Sequence, residues 1–154
     1  MTTKSFVELL NIDLFKLTSY GTGLLQGKAY SRLNERLTAS LLPFNVSIPE
    51  WKLLGQLHEH GKMRLAELAE KLSYDPPMVT KLAKKLEKKG LTKRIADSKD
   101  ERAKVISITQ KGDQIVKNAE PEVRKAMKAT LKGVTPDELR TYIKVLTLIV
   151  KNTD

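Results

Sequence analysis

The chain contains no cysteine. That absence excludes disulfides, thiolate metal sites, cysteine nucleophiles and thiol-based redox sensing together. Histidine occurs only at His58 and His60; on a helix this spacing turns the two rings apart by roughly 200°, so they cannot chelate one ion together. General acid–base chemistry would therefore rest on carboxylates, and pairs such as Glu67 and Glu70 are explained by solvated helix charge. Glycine-rich phosphate loops, metalloprotease helices and nucleophile elbows are missing as well. The expectation is a protein that is not an enzyme and needs no metal or cofactor. No apolar run approaches the ~18 residues of a membrane-spanning helix, and the first residues (MTTKSFVELLNIDLFK) mix acids with apolar side chains, unlike a secretory leader. These features lead us to expect a soluble, cytoplasmic protein without a membrane partner.

What is present is positive charge. The 154 residues carry a formal net charge of +10, with 40% apolar and 30% charged side chains. That is ordinary globular composition for one domain, alone or with an extension. The charge is concentrated. Residues 81–104, KLAKKLEKKGLTKRIADSKDERAK, hold ten Lys or Arg against four Asp or Glu. Clustered cations release condensed counterions from phosphates, which points to nucleic acid. A solvated lysine face is the competing explanation, and the order of the surrounding elements decides between the two.

Apolar spacing is helical almost throughout. Residues 5–18 form a short amphipathic helix with Phe6, Leu9, Leu10, Asp13 and Leu17 near one side, and Gly21 and Gly23 are expected to interrupt or bend it. The helical pattern resumes through Leu25, Tyr30, Leu33, Leu37 and Leu41 and ends before Pro43. Ser47-Ile48-Pro49-Glu50 is a capping box for the next helix, which turns Trp51, Leu54 and Leu57 inward and stops at Gly61. A compact helix follows at 65–72. Asp75 is then expected to cap another, with Pro76 and Pro77 in the first turn and Gly90 at its end. Leu91 to Ala96 and Ala103 to Thr109 are short strands around a polar tip, a hairpin. Thr109 caps a helix to about 132 that Pro121 should kink or break. Thr135-Pro136-Asp137-Glu138 is a second capping box, opening the last helix.

Two short helices, the second basic, followed by a two-stranded wing make a winged helix-turn-helix, in a mainly α (α+β) chain. A recognition helix must bury one face and offer the other to the major groove. Val79, Leu82, Ala83 and Leu86 point inward, while Pro77, Thr80, Lys81, Lys84 and Lys88 point out, flanked by Met78 and Lys85. N-terminal residues of such a helix reach base edges and later lysines reach phosphates. Base contact is accordingly expected from Pro77, Met78, Thr80 and Lys81, and phosphate contact from Lys84, Lys85 and Lys88. Arg64, at a helix start, is a further phosphate candidate.

LAELAEKLSYDPPMVTKLAKKLEKKGLTKR, followed by DSKDERAKVISITQKG, resembles the multiple-antibiotic-resistance regulator (MarR) family of transcription factors. The resemblance is strongest over residues 47–116 and extends in architecture over about 24–150. It implies a wing whose Asp-x-Arg places an arginine in the minor groove, here Arg102 oriented by Asp100, with Lys99 beside them; a narrow minor groove concentrates negative potential and draws such an arginine in. Two departures stand out. A second wing arginine is replaced by Lys99 or Glu101, and Pro77 takes the place of a small hydrogen-bonding residue, so sequence preference does not carry over from relatives.

The last helix presents Leu139, Tyr142, Ile143, Leu146, Ile149 and Val150 as one stripe, widened by Val145 and Leu148, and so needs burial over most of its surface. The resemblance implies a homodimer in which N- and C-terminal helices interlock, with Phe6, Leu9 and Leu10 contributing; packing against residues 5–18 within one chain is the alternative. It also implies a cleft for a small anionic aromatic effector, near Tyr20, Tyr30, Arg36 and Trp51. The resulting division is 1–46 helical and dimerising, 47–109 winged helix-turn-helix, and 110–154 helical and dimerising. The functional expectation is a sequence-specific regulator of double-stranded DNA, a repressor on family grounds, on a pseudo-palindromic operator. An architectural or RNA-binding protein using the same basic face is the alternative.

Overall fold

The computed structural model describes residues 19–95 and 104–153. Helix α1 (Ser19–Leu41) leads into a 3-10 turn, Leu42–Phe44, with Pro43 in its first positions. Gly21 and Gly23 lie inside α1 and do not interrupt it. A glycine costs a helix interior only about 1 kcal/mol, too little to end a helix of 23 residues that also packs against α5 (Gln110–Thr130). Pro121 likewise fails to break α5. The ring sits on an exposed side, and burial of Val116 and Ala119 just before it holds the helix together across the missing amide bond.

Helix α2 (Ile48–His60) begins with the expected reciprocal box: the Ser47 hydroxyl accepts from the Glu50 amide at 3.4 Å, and the Ser47 amide donates to Glu50 Oε2 at 2.7 Å. Gly61, at φ 76°, ends it. Strand β1 (Lys62–Arg64), helix α3 (Leu65–Leu72), helix α4 (Pro76–Lys88), strands β2 (Thr92–Ile95) and β3 (Val105–Ile108) follow. Helix α6 (Pro136–Thr153) closes the order, its Thr135–Glu138 box formed as expected.

The core is a leucine cluster where α1, α2, α3 and α4 meet. Leu41, Leu53, Leu54, Leu57, Leu68, Val79 and Leu86 are wholly buried, and Leu91 and Ile106 are nearly so. Each such side chain contributes about 1.5–3 kcal/mol on removal from water. Trp51 is only half-buried at the edge of this cluster, and Leu53 is turned inward with Leu54 and Leu57.

The sheet has three antiparallel strands, β1-β3-β2, where the sequence suggested two. Met63 pairs with Ile106 on one side of β3, and Arg94 pairs with Ile106 on the other. Three residues give no legible alternation, so β1 was invisible as a pattern; it exists because β3 supplies its hydrogen-bonding edge.

Candidate nucleic-acid interface

Helices α3 and α4 pack together, and α4 is the candidate recognition helix. Asp75 has the extended backbone of an N-cap (φ −66°, ψ 144°), yet its side chain makes no capping bond, contrary to expectation. The reason lies in the next two residues. A residue before proline is pushed to extended geometry in any case, and Pro76 and Pro77 together remove two of the amides a cap would satisfy.

The two faces of α4 divide as the spacing requires. Val79, Ala83 and Leu86 are buried and Leu82 half-buried, while Pro77, Lys81, Lys84, Lys85 and Lys88 are exposed and Met78 and Thr80 intermediate. The helix ends in a Schellman turn: the Gly90 amide donates to the Glu87 carbonyl and the Leu91 amide to the Leu86 carbonyl, both at 2.9 Å. Gly90 takes φ 72°, which a Cβ would strain. Lys111 Nζ also caps the helix end, 3.0 Å from the Lys89 carbonyl.

Arg64 is the N-cap residue of α3, half-buried, with its amide donating to Glu67 Oε2 at 3.0 Å. Its own side chain cannot cap, so Glu67 supplies that half of the box alone. On β2, exposed Arg94 pairs with Glu87 at 3.2 Å, tying the wing strand to α4. The wing-tip residues Lys99, Asp100 and Arg102 lie outside the described residues, as do Phe6, Leu9 and Leu10 and the side chain of Tyr20. Tyr30 lines a shallow open depression along α1 with Ser31, Asn34, Glu35, Thr38 and Ala39. Arg36, exposed on α1, and Trp51, half-buried on α2, are not among its walls.

One group was missed altogether. Glu50 is wholly buried, 3.3 Å from Lys85 Nζ and 3.0 Å from Lys89 Nζ. Burial is the largest influence on its carboxyl and pushes the pKa up, but the Ser47 amide and Lys89 outweigh it and hold the group below the ordinary 4.5. Its place as N3 of a capping box gave Glu50 a sufficient local explanation, and nothing in the spacing of the sequence joins residue 50 to residue 89. Between α2 and α5, His58 Nδ1 lies 2.6 Å from Asp113 Oδ1, and Lys117 Nζ 2.6 Å from Asp113 Oδ2.

Residues 46–104, from just before α2 to the residue before β3, match the sequence model of the MarR family. The chain thus carries, over those residues, a winged helix-turn-helix segment similar to that of the MarR family. It is a helix-turn-helix transcriptional regulator of the winged type. Its fold matches that of a mutant MarR from E. coli complexed with operator DNA, with a TM-score of 0.80 at 23% identity, covering 90% of this chain and 99% of that one. Among curated proteins it is 26% identical over 147 residues to the uncharacterized HTH-type transcriptional regulator YwaE of Bacillus subtilis, spanning 95% of this chain and 83% of that protein. It is 30% identical over 84 residues to the HTH-type transcriptional repressor MdtR of the same organism, 54% of each chain. No helix among the described residues is long and apolar enough to cross a membrane.

Proposed function

We propose that this regulator binds a pseudo-palindromic operator as a homodimer and acts as a repressor. In this reading α4 enters the major groove, with Pro77, Met78, Thr80 and Lys81 at base edges and Lys84 and Lys88 on phosphates. The wing, through Lys99, Asp100 and Arg102, takes the adjacent minor groove, and Arg64 adds a phosphate contact. Residues 47–109 form the reading unit, and residues 1–46 and 110–154 hold the two copies together.

The observation that carries this reading is the division of α4 into one face seated in the leucine core and another face lined with cations and short polar groups. The apolar face of α6 supports the dimer: Tyr142, Ile143, Val145, Leu148, Ile149 and Val150 are 46–58% exposed, far more apolar surface than a lone helix leaves in water. The operator complex of the E. coli protein supports DNA as the partner, and the name of MdtR supports repression.

Selection from random duplexes, followed by salt titration on the enriched and a scrambled sequence, tests the proposal. A preference of about 10³ or more for the enriched duplex is expected, and Arg102→Ala and Lys81→Ala should each weaken it. Equal binding of all sequences would replace this reading with an architectural or RNA-binding one.

A further inference from the structure

The two lysines nearest Glu50 belong to the segment whose charge looks like a DNA clamp, but they face an acid that water does not reach. Glu50 sits in the first turn of α2; Lys85 and Lys89 sit one turn apart at the end of α4. Lys89 Nζ donates to Glu50 Oε2 at 3.0 Å and to the Asn45 carbonyl at 2.6 Å, while its side chain is only 22% exposed. Asn45 holds that carbonyl in place by adopting a left-handed conformation, φ 54°, at the end of the 3-10 turn. One ammonium thus ties the end of the recognition helix to both sides of the α2 N-terminus. A buried carboxylate left without its cations is strongly unfavourable, so the ion pairs constrain where α4 can sit.

We infer that Glu50 is a positioning residue for DNA reading: it draws Lys85 and Lys89 away from the phosphates to latch the recognition helix onto α2. The inference rests on the DNA-binding reading above. It divides the basic face anew. Lys81, Lys84 and Lys88 remain for DNA, while Lys85 and Lys89 spend their charge within the fold and add little to counterion release.

The full-length protein and its Glu50→Gln, Lys85→Met and Lys84→Met variants are titrated with the enriched and scrambled duplexes over a range of salt, with circular dichroism as a check on folding. Each phosphate contact contributes about 0.9 to the slope of log affinity against log salt. Lys84→Met should make the slope shallower by about 0.9. Lys85→Met should keep the wild-type slope and lose part of the preference for the enriched duplex. Glu50→Gln keeps an oxygen for the Ser47 amide but no charge; freed Lys85 should steepen the slope by about 0.9 and raise scrambled-duplex binding, cutting the preference roughly tenfold. A Glu50→Gln protein with wild-type slope and preference would reduce Glu50 to a helix cap and overturn the inference. A Lys85→Met slope as shallow as that of Lys84→Met would also overturn it, leaving the DNA reading intact, and this comparison decides if Glu50→Gln does not fold. Failure of Lys84→Met to move the slope, with no preference in any of the proteins, would sink the DNA reading itself.

Discussion

The Leu91 carbonyl oxygen stands where a side chain on Gly112 would begin: a Cβ built there would lie 2.2 Å from it and 2.9 Å from Ile108 Cγ1. The same carbonyl accepts the Thr109 amide at 3.0 Å. The Thr109 hydroxyl in turn accepts the Gly112 amide at 3.1 Å and donates to the Gly90 carbonyl at 2.7 Å. The first turn of α5 is therefore pressed onto the backbone that links α4 to β2, and backbone, unlike a flexible side chain, cannot swing aside. Gly112→Ala should destabilise the protein by about 2–3 kcal/mol, although alanine is the better helix former. Urea unfolding followed by circular dichroism measures this; a neutral or stabilising result would contradict the packing described.

Acid should loosen the bridge between α2 and α5 before it unfolds the core. Lys117 first, and His58 second, hold the Asp113 carboxyl below its ordinary 3.8. A depressed folded-state pKa means stabilisation that is fully present above the unfolded value and lost as pH falls through the folded one. Wild type should exceed Asp113→Asn in urea midpoint at pH 6, and the gap should close as pH drops below 3.8. The charges are largely solvated, so the difference is small and should shrink further in high salt. A gap that did not narrow at all as pH fell below 3.8 would assign the effect to something other than this carboxylate.

The parts of the fold that were legible in sequence are those set by local chemistry. Ser47 with Glu50, Thr135 with Glu138, Thr109 and Gly90 each mark an end through contacts spanning three or four residues, and the structure has them there. The buried stripe of α4 was legible because 3.6-residue periodicity is itself a local rule. What could not be read depends on distant partners. β1 needs β3, and the true surroundings of Lys85 and Lys89 need Glu50. Asp75 failed differently, since two prolines had already removed the need for the bond expected of it.

The exposed stripe of α6 makes a prediction about assembly. Ile143 and Val150 are 54% and 58% exposed, and none of the α6 residues is buried. Ile143→Asp would place an unpaired charge in any interface that covers this stripe. The variant should sediment as a monomer where wild type sediments as a dimer, with its secondary structure retained. Losing the second reading head should weaken operator binding by roughly 10²–10⁴, because the second half-site contact is no longer intramolecular. An Ile143→Asp protein that remained dimeric would move the interface elsewhere.

The exposed face of α4 should separate affinity from specificity along its length. Thr80 lies one turn from the helix start, half-buried beside exposed Lys81, while Lys84 and Lys88 lie one and two turns further on. A side chain at a base edge discriminates between sequences, whereas one on a phosphate attracts every duplex alike. Thr80→Val, nearly the same shape without the hydroxyl, should change the base preferred at one position of each half-site, by about 1–3 kcal/mol, and leave the salt slope alone. Lys88→Met should do the reverse, weakening enriched and scrambled duplexes together and making the slope shallower. Competitive binding to a panel of single-base variants at two salt concentrations reads both effects in one experiment. If Thr80→Val and Lys88→Met gave the same pattern, the two ends of the helix would not be reading different parts of the duplex, and the orientation proposed for α4 in the groove would be wrong.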